Sequence, residues 1–378
     1  MEKEKKRILW VTGDWFMAHD IVLVPLVSQI ADIHWVILFP KYNQRFKESD
    51  FDEIRNNHPN LNITFLYSKY RRRYPQNIQL FNKISTIQKK EKPDIVHLDF
   101  GVDDPWSLPM MFSLPKKKTI VVLHQGKVHE LFKHKWLYVL LRKITFSRFC
   151  YVKMFSKSQA GIFKTLFPKN RVFEFSLPLI DFGNSKISRP SLGDVIFMSF
   201  GTLNYGKSIE TLIDAACILH ERGIKGFKVS INGSCKDWSW YQKRIKYPEI
   251  FETNIRMIDN REIPDLFNGS HYLVQPYRIV TQSGPMKIAF NYNLPVICSN
   301  LSGFTDEVVD DVNGYTFECG NAESLAIIMQ LLIEKHQTNY KGLLMRMKKY
   351  TEDHYSSDRL VNQYQSMFNE IIENNINI

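Results

Sequence analysis

Two Rossmann-like α/β domains, each a parallel sheet with helices on both faces, are what this 378-residue sequence predicts. Three observations lead there. Short runs of β-branched and aromatic residues alternate with stretches of helical period, the β-α-β order that yields a parallel sheet. The alternation breaks at 183–193 (GNSKISRPSLG), a Gly/Ser/Pro-rich segment without periodicity, and then starts again. The length also exceeds what one ordinary hydrophobic core organises. The expected division is a first domain over 1–185, a second over 193–352, and a terminal segment over 353–378 whose helix crosses back to the first domain. The two sheets are expected to face each other across a cleft.

In the first half, 8–12 reads as a strand stopped by Gly13, followed by strands at 33–39 and 61–67. A helical stretch at 77–88 leads to the strand 94–99 (DIVHLD), closed by Gly101. The next strand, 118–123, ends at His124-Gln125-Gly126. A basic, aromatic helix at 130–146 then precedes a strand at 150–155. In the second half, strands are expected at 195–200, 227–232, 254–258, 272–275, 294–298 and 315–317. Helices are expected at 207–222 and 322–334, and a last one at 358–373 with no strand after it.

The charge is lopsided. Residues 1–190 hold 32 Lys and Arg against 17 Asp and Glu, whereas 191–378 hold 18 against 22. Such asymmetry points the first half toward an anionic partner or, more plainly, toward a solvated basic surface. A hydrophobic fraction of 44% with 24% charged residues excludes a disordered chain. The five cysteines, Cys150, Cys217, Cys235, Cys298 and Cys319, show no CxxC spacing, so a disulfide frame and a zinc site are both unexpected. The charged start MEKEKKR gives no signal-peptide pattern, and no stretch approaches the ~20 apolar residues of a membrane span. A soluble, cytoplasmic protein is expected.

Ligands of open parallel sheets gather where the strands end. The candidate functional loops are therefore those at Gly13, 99–104, 124–129, 201–207, 233–236, 259–261 and 276–284. One of them, Gly201-Thr-Leu-Asn-Tyr-Gly206-Lys207-Ser208, fits the GxxxxGK[ST] phosphate loop of nucleotide hydrolases. Against a P-loop NTPase stands the lack of a clean apolar run ending in Asp, since 255–259 (IRMID) is broken by Arg256. The loop also opens the second domain, whereas a P-loop domain would need its other switches downstream.

Four ordered segments resemble a known family instead. Phe200-Gly-Thr-Leu-Asn-Tyr-Gly-Lys207-Ser-Ile-Glu-Thr-Leu-Ile-Asp-Ala215 is similar to the G-R-L…K-G…L-I-E-A opening of the nucleotide-binding domain of family 4 (group 1) glycosyltransferases of the GT-B fold. Pro276-Tyr-Arg278…Gln282-Ser283-Gly284 with Asn293-Leu-Pro295-Val-Ile297 resembles its P-x…G…G-x-P-V-I segment. Ser302-Gly303-Phe-Thr-Asp306-Glu307-Val-Val and Asp311-Val-Asn-Gly314-Tyr-Thr-Phe317 resemble its G-G-x-x-E-x-V…N-G-x-x-F close. Two departures matter: Thr202 replaces an arginine, and Val280 and Ile288 stand where the paired glutamates of E-x7-E belong. Sugar identity and the ribose contact stay open as a result.

The resemblance implies transfer of a sugar from a UDP-sugar or GDP-sugar to a glycan or lipid-linked acceptor, with retention, in cell-envelope polysaccharide synthesis. It implies no cofactor beyond the donor. A non-catalytic GT-B-like scaffold remains the alternative, with the P-loop NTPase behind it.

Physical chemistry assigns roles to the candidate residues. Lys207, expected at a helix start, offers a point charge to the diphosphate; Gln282, Ser283 and Gly284 offer the first N–H groups of another helix; Arg278 offers a planar fork. The plainer readings are a surface lysine, an N-cap with its turn, and a structural arginine. Gly13 and Thr202 line the strand-end loops, and Asn260 and Arg261 would border the base. Asp306 and Glu307, expected at a helix start, would touch the donor or merely cap. His124 would meet the transferred sugar or move the acceptor proton, with His129 and the Asp99, Asp103, Asp104 group as weaker candidates. With cations on the charge, no catalytic metal is expected. Lys133, Lys135, Arg142, Lys143 and Arg148, beside Trp136, Leu137, Leu140 and Leu141, suggest a peripheral helix on anionic membrane or an ordinary core-facing stripe. No nucleic-acid module is evident.

Overall fold

The computed structural model describes residues 5–42, 44, 46–71, 74–101, 104–128, 134–190 and 193–376. They form two compact units, 1–178 with 357–378, and 179–356.

In the first unit β1 (Lys6–Gly13), β2 (Ala31–Phe39), β3 (Leu61–Tyr67), β4 (Ile95–Asp99), β5 (Thr119–Leu123), β6 (Tyr151–Met154) and β7 (Arg171–Glu174) make an all-parallel sheet of order β3-β2-β1-β4-β5-β6-β7. Between them run α1 (Met17–Val27), α2 (Asp52–Asn57), α3 (Ile78–Glu91), α4 (Leu108–Ser113), α5 (Lys135–Arg148) and α6 (Lys157–Leu166). The second unit pairs β8 (Val195–Phe200), β9 (Phe227–Asn232), β10 (Phe251–Asn254), β11 (Tyr272–Gln275), β12 (Val296–Ser299) and β13 (Gly314–Phe317) as β10-β9-β8-β11-β12-β13. Its helices are α7 (Ile209–Glu221), α8 (Trp238–Gln242), α9 (Ile263–Asn268), α10 (Gly284–Asn291), α11 (Ser302–Thr305), α12 (Ala322–Glu334) and α13 (His336–Tyr355). The last helix, α14 (Ser357–Ile376), belongs to the first unit.

Strands buried on both faces explain the near-continuous apolar runs of the sequence. In β1, Ile8 and Trp10 join Met17, Leu23 and Val24 of α1 and Leu360, Tyr364 and Phe368 of α14. Leu9 and Val11 point the other way, among Phe81 and Ile84 of α3 and Phe163 of α6. The terminal helix thus covers one face of the first sheet.

Several expectations need correction. The division falls at 178/179 because the following segment is bonded to the second unit. Arg189 donates to the carbonyls of Asn293 (2.8 Å) and Tyr292 (2.9 Å), and Ser185 donates to Asp265 (2.8 Å). The strand expected at 254–258 is β10, Phe251–Asn254; as an edge strand it buries too little to mark itself, and Met257 beyond it is 85% exposed. β7 is too short for its alternation to stand out. Helix α13 escapes notice because, of its hydrophobic residues, only Leu343, Met347 and Tyr355 are buried along its 20 residues. Within the described residues the basic helix begins at Lys135, and the terminal one begins at Ser357. Among those residues no helix is long and apolar enough to cross a membrane.

Candidate active site

In the second unit the connections change direction between β8 and β11, since β8 leads outward to β9 and β11 outward to β12. Loops leaving such neighbouring strands part and open a crevice. The Arg278 N–H donates to the Gly206 carbonyl (2.9 Å), and Lys207 Nζ lies 3.6 Å from the centroid of the Tyr277 ring. Lys207 is half-buried, pairs with no carboxylate among the described residues, and has its pKa pushed down to about 8 by burial. Backbone holds the loop after β8 in place: the Gly201 N–H donates to Asn232 (3.0 Å) and the Leu203 N–H to Ser234 (2.8 Å). A Cβ on Gly233, whose φ is +142°, would stand 1.8 Å from the Gly201 carbonyl oxygen, so only glycine permits this approach.

Lys207 does not start a helix, as the sequence suggested. It ends a 3-10 turn, Tyr205–Lys207, and α7 begins only after Ser208, which is left-handed at φ 50°. Ser208 is fully buried with its hydroxyl 2.9 Å from Thr211 Oγ1. The serine that a hydrolase loop would offer to magnesium therefore faces the interior.

Arg278 is not a free fork. Its guanidinium pairs with the buried Glu210 and lies 4.8 Å from the Tyr205 ring centroid, fastening the turn that carries Lys207. Ser283 is an N-cap: its hydroxyl accepts from the Met286 N–H (3.3 Å) and from Gln275 Nε2 (2.7 Å). Gly284 opens α10 and Gln282 is half-buried beside the cap. Asp306 and Glu307 follow the four-residue α11 instead of starting a helix, so no dipole argument applies to them. Glu307 accepts from the fully buried Lys287 and from the Tyr355 hydroxyl, and Lys287 also donates to that hydroxyl (3.0 Å). Its carboxylate is the counter-ion of an interior ammonium. Thr202 is exposed. Asn260 and Arg261 are exposed in the loop after β10, two strands from β8, with Arg261 held by Asp259 (N–H 2.9 Å, Nε 3.2 Å).

The first unit has its own switch, between β1 and β4. Gly13 ends β1, where a Cβ would approach Phe100 Cα to 3.1 Å. At the end of β4, the fully buried Asp99 holds two imidazoles: His19 Nε2 at 2.8 Å and, just past β5, His124 Nε2 at 3.3 Å. Phe16 stacks on His124 with centroids 4.3 Å apart. Burial pushes the Asp99 carboxyl up, but the His19 charge and the hydrogen bonds from both histidines outweigh it and hold the group well below the usual carboxylate range. The three side chains offer donor atoms within 4.8 Å of one another, the one such set among the described residues. Each imidazole meets its own carboxylate oxygen, which is a hydrogen-bonded arrangement. Behind it, Lys153 donates to the Tyr364 hydroxyl of α14 (2.6 Å), its pKa brought to about 8 by burial against the opposing pull of Asp99 and Asp20.

The sequence signalled His124 by its strand end and Asp99 only weakly. It gave no sign of His19, a histidine on a helix face, nor of Glu210, Tyr277, Lys287 and Tyr355. Asp104 is a buried cap that accepts from the Trp106 N–H (3.0 Å), while Asp103 and His129 lie outside the described residues.

Comparison with known proteins adds the lineage. Residues 183–354 match the family described as glycosyl transferases group 1. A glycogen synthase of Thermodesulfovibrio yellowstonii is 27% identical over 188 residues, which cover 48% of this chain and 37% of that one, so the chain spans little more than a third of that relative. Among solved structures, a glycosyltransferase from Rickettsia africae aligns with a TM-score of 0.73 at 15% identity, over 98% of this chain and 100% of that one. Sucrose-phosphate synthase from Thermosynechococcus elongatus gives 0.74 at 11%, over 98% and 100%. HepE of Anabaena, solved in complex with UDP and glucose, gives 0.72 at 13%, over 97% and 100%. The likeness over the whole chain gives this protein the GT-B fold, and the match to the glycosyl transferases group 1 family spans nearly all of its second unit.

Proposed function

We propose that this chain is a glycosyltransferase that moves a sugar from a UDP-sugar or GDP-sugar to a glycan or lipid-linked acceptor. The supporting observation is Lys207, an ammonium without a carboxylate partner among the described residues, at the strand switch where an anion would complete it. The diphosphate lies against Lys207 and the first-turn N–H groups of Ser283 and Gly284, and its charge grows as the glycosidic bond breaks. Arg278 and Glu210 act behind Lys207 by fixing its turn. Asn260 and Arg261, two strands along at ~4.8 Å per strand, stand about a nucleoside's length away, where the base would rest. UDP is favoured because the Anabaena relative was solved with it. On the acceptor side His124 takes up or positions the acceptor hydroxyl proton, oriented by Asp99.

The finer parts of this reading are retention, drawn from the family resemblance, independence of metal, drawn from the cations set against the diphosphate, and a role in cell-envelope polysaccharide synthesis, drawn from the basic first half. A cytoplasmic location with peripheral contact to anionic membrane is also proposed. In its support, Trp136 and Leu140 of α5 are exposed at 67% and 47% beside the exposed Lys143, although Arg142 and Arg148 of the same helix are used internally on backbone carbonyls. The test of function is release of UDP from UDP-glucose and other UDP-sugars, with EDTA present, in wild type and in Lys207→Ala. Turnover that survives EDTA and drops at least tenfold in the variant is expected. Magnesium-dependent ATP hydrolysis without any sugar-nucleotide turnover would overturn the reading.

A further inference from the structure

On the side of β6 that α14 covers, Tyr151 and Phe155 enter the apolar core, and Lys153 stands between them with no exposed surface. An ammonium carries three donors, and this one makes one hydrogen bond, to the Tyr364 hydroxyl (2.6 Å). Rings surround the rest of it, with Phe155, Tyr364 and Trp10 centroids at 4.6, 4.9 and 5.3 Å. Among the described residues no carboxylate touches it. An apolar side chain would fill this place at lower cost, since a buried charge is tolerated only where other charge answers it.

The answering charges are Asp20 of α1 and Asp99 at the end of β4, both fully buried, which pull on Lys153 through space. Asp20 Oδ2 accepts from Trp10 Nε1 (2.9 Å) and from Thr12 Oγ1 (2.5 Å). Its other oxygen faces His19 Nε2 at 3.4 Å, and the same nitrogen stands 2.8 Å from Asp99 Oδ2. One imidazole thus joins the two carboxylates, and His124 meets the second oxygen of Asp99. Burial and the nearby Asp99 push the Asp20 carboxyl up, while His19 and Lys153 pull it down. His97 of β4 stacks on Trp10 (3.7 Å between centroids), and burial together with Lys153 holds it well below the usual imidazole range, so it adds no charge. Burial beside Asp20 and Asp99 keeps the Tyr364 phenol far above its ordinary range, so it stays a neutral hydroxyl.

The group therefore contains two buried carboxylates and one buried ammonium. Neutrality leaves room for a single further proton, shared among His19, His124 and Asp20. Without the ammonium the same carboxylates would hold two. Resting on the proton-handling role given above to His124, we propose that Lys153 is a positioning residue for this group. Its ammonium, fastened by Tyr364 of the terminal helix, supplies one of the two positive charges that Asp20 and Asp99 call for and so keeps His124 open to the acceptor's proton. The far end of the chain reaches the acceptor-side chemistry through that one hydroxyl.

NMR titration of the histidine side chains in the full chain without donor tests this, on wild type, Lys153→Gln, Lys153→Arg and Tyr364→Phe, with His19→Gln and His124→Gln to identify the signals. Lys153→Gln removes the charge and leaves an amide to meet Tyr364. The second proton should then move the midpoints of the His19 and His124 signals up by about one pH unit. Lys153→Arg keeps the charge and should keep the wild-type midpoints. Tyr364→Phe removes the ammonium's hydrogen bond and should move them the same way by a smaller step. It deletes only one oxygen from the core, so the test stands even where Lys153→Gln fails to fold. In turnover at saturating UDP-sugar, the acid limb of the pH profile should shift to higher pH in Lys153→Gln by the same step, which a purely structural role would not cause. Midpoints that stay at their wild-type values in the folded Lys153→Gln and Tyr364→Phe proteins would overturn the inference. The titration needs no turnover, so an inactive protein whose midpoints move refutes only the transferase reading, and an active one whose midpoints stay refutes only this role of Lys153.

Discussion

An ammonium half-buried over an aromatic ring and unpaired with any carboxylate is costly until an anion completes it, and among the described residues Lys207 is in that position. Its pKa, brought down to about 8 by burial, gives a pH dependence whose sign is fixed. The charge is present below that value and fades above it, and a bound diphosphate pulls the pKa back up. UDP affinity should therefore decline as pH rises beyond about 8, while Lys207→Arg, always charged, should flatten the profile. The Asp99 carboxylate makes a different forecast. Its substitution by Asn removes the carboxylate that His19 and His124 share, leaving His19 only the Asp20 carboxylate at 3.4 Å, and we expect turnover to fall about 100-fold with KM within a few-fold, the scale of general acid–base assistance. An unchanged turnover in Asp99→Asn would leave the pair a structural feature only. In the interior, Lys287→Met strands the Glu307 carboxylate, and a cost of about 3–5 kcal/mol should appear in denaturant melts.

At the scale of elements, the loop between β8 and α7 owes its position to backbone approach more than to side chains. Gly233→Ala would drive a Cβ to 1.8 Å from the Gly201 oxygen at a φ of +142°. The loop must then move, so the variant should lose UDP binding in parallel with a destabilisation of about 2–4 kcal/mol, read by titration and by urea melts. A fully stable variant with normal binding would contradict the tight approach. Such crossings of two loops are not legible in a sequence, where Gly201 and Gly233 are merely two glycines after strands. The strands themselves were legible, because a parallel sheet buried on both faces writes continuous β-branched runs. Edge strand β10 and the thinly striped α13 were not, since each buries few apolar side chains to mark it. Of the site, strand-end residues such as Lys207, Ser283 and His124 could be found by position. Their partners Tyr277, Glu210 and His19 come from other elements and have no local signature.

On the scale of the whole molecule, helix α14 completes the first unit from the far end of the chain. Leu360, Tyr364, Met367, Phe368 and Ile371 enter the core beside Trp10, and Tyr364 also takes the hydrogen bond of the buried Lys153. At about 2 kcal/mol for each large buried side chain, removing the helix forfeits roughly 10 kcal/mol, comparable to the entire stability of a domain. Ending the chain before Ser357 should therefore leave the first unit unfolded or aggregated, as seen by loss of its melting transition. The basic surplus of that unit, visible in the sequence as net charge, is resolved by the structure into Arg142 and Arg148, spent on carbonyls, and into Lys41 and Arg71, left at a cavity mouth. The central claim concerns the other unit, that a nucleoside diphosphate rests on Lys207, and calorimetric titration of UDP into wild type and Lys207→Ala in EDTA tests it most directly. Loss of one charge-assisted contact should weaken binding about 10- to 100-fold while the melting temperature of the free protein holds. Equal UDP affinity in the two proteins, or no binding to wild type, would contradict the account.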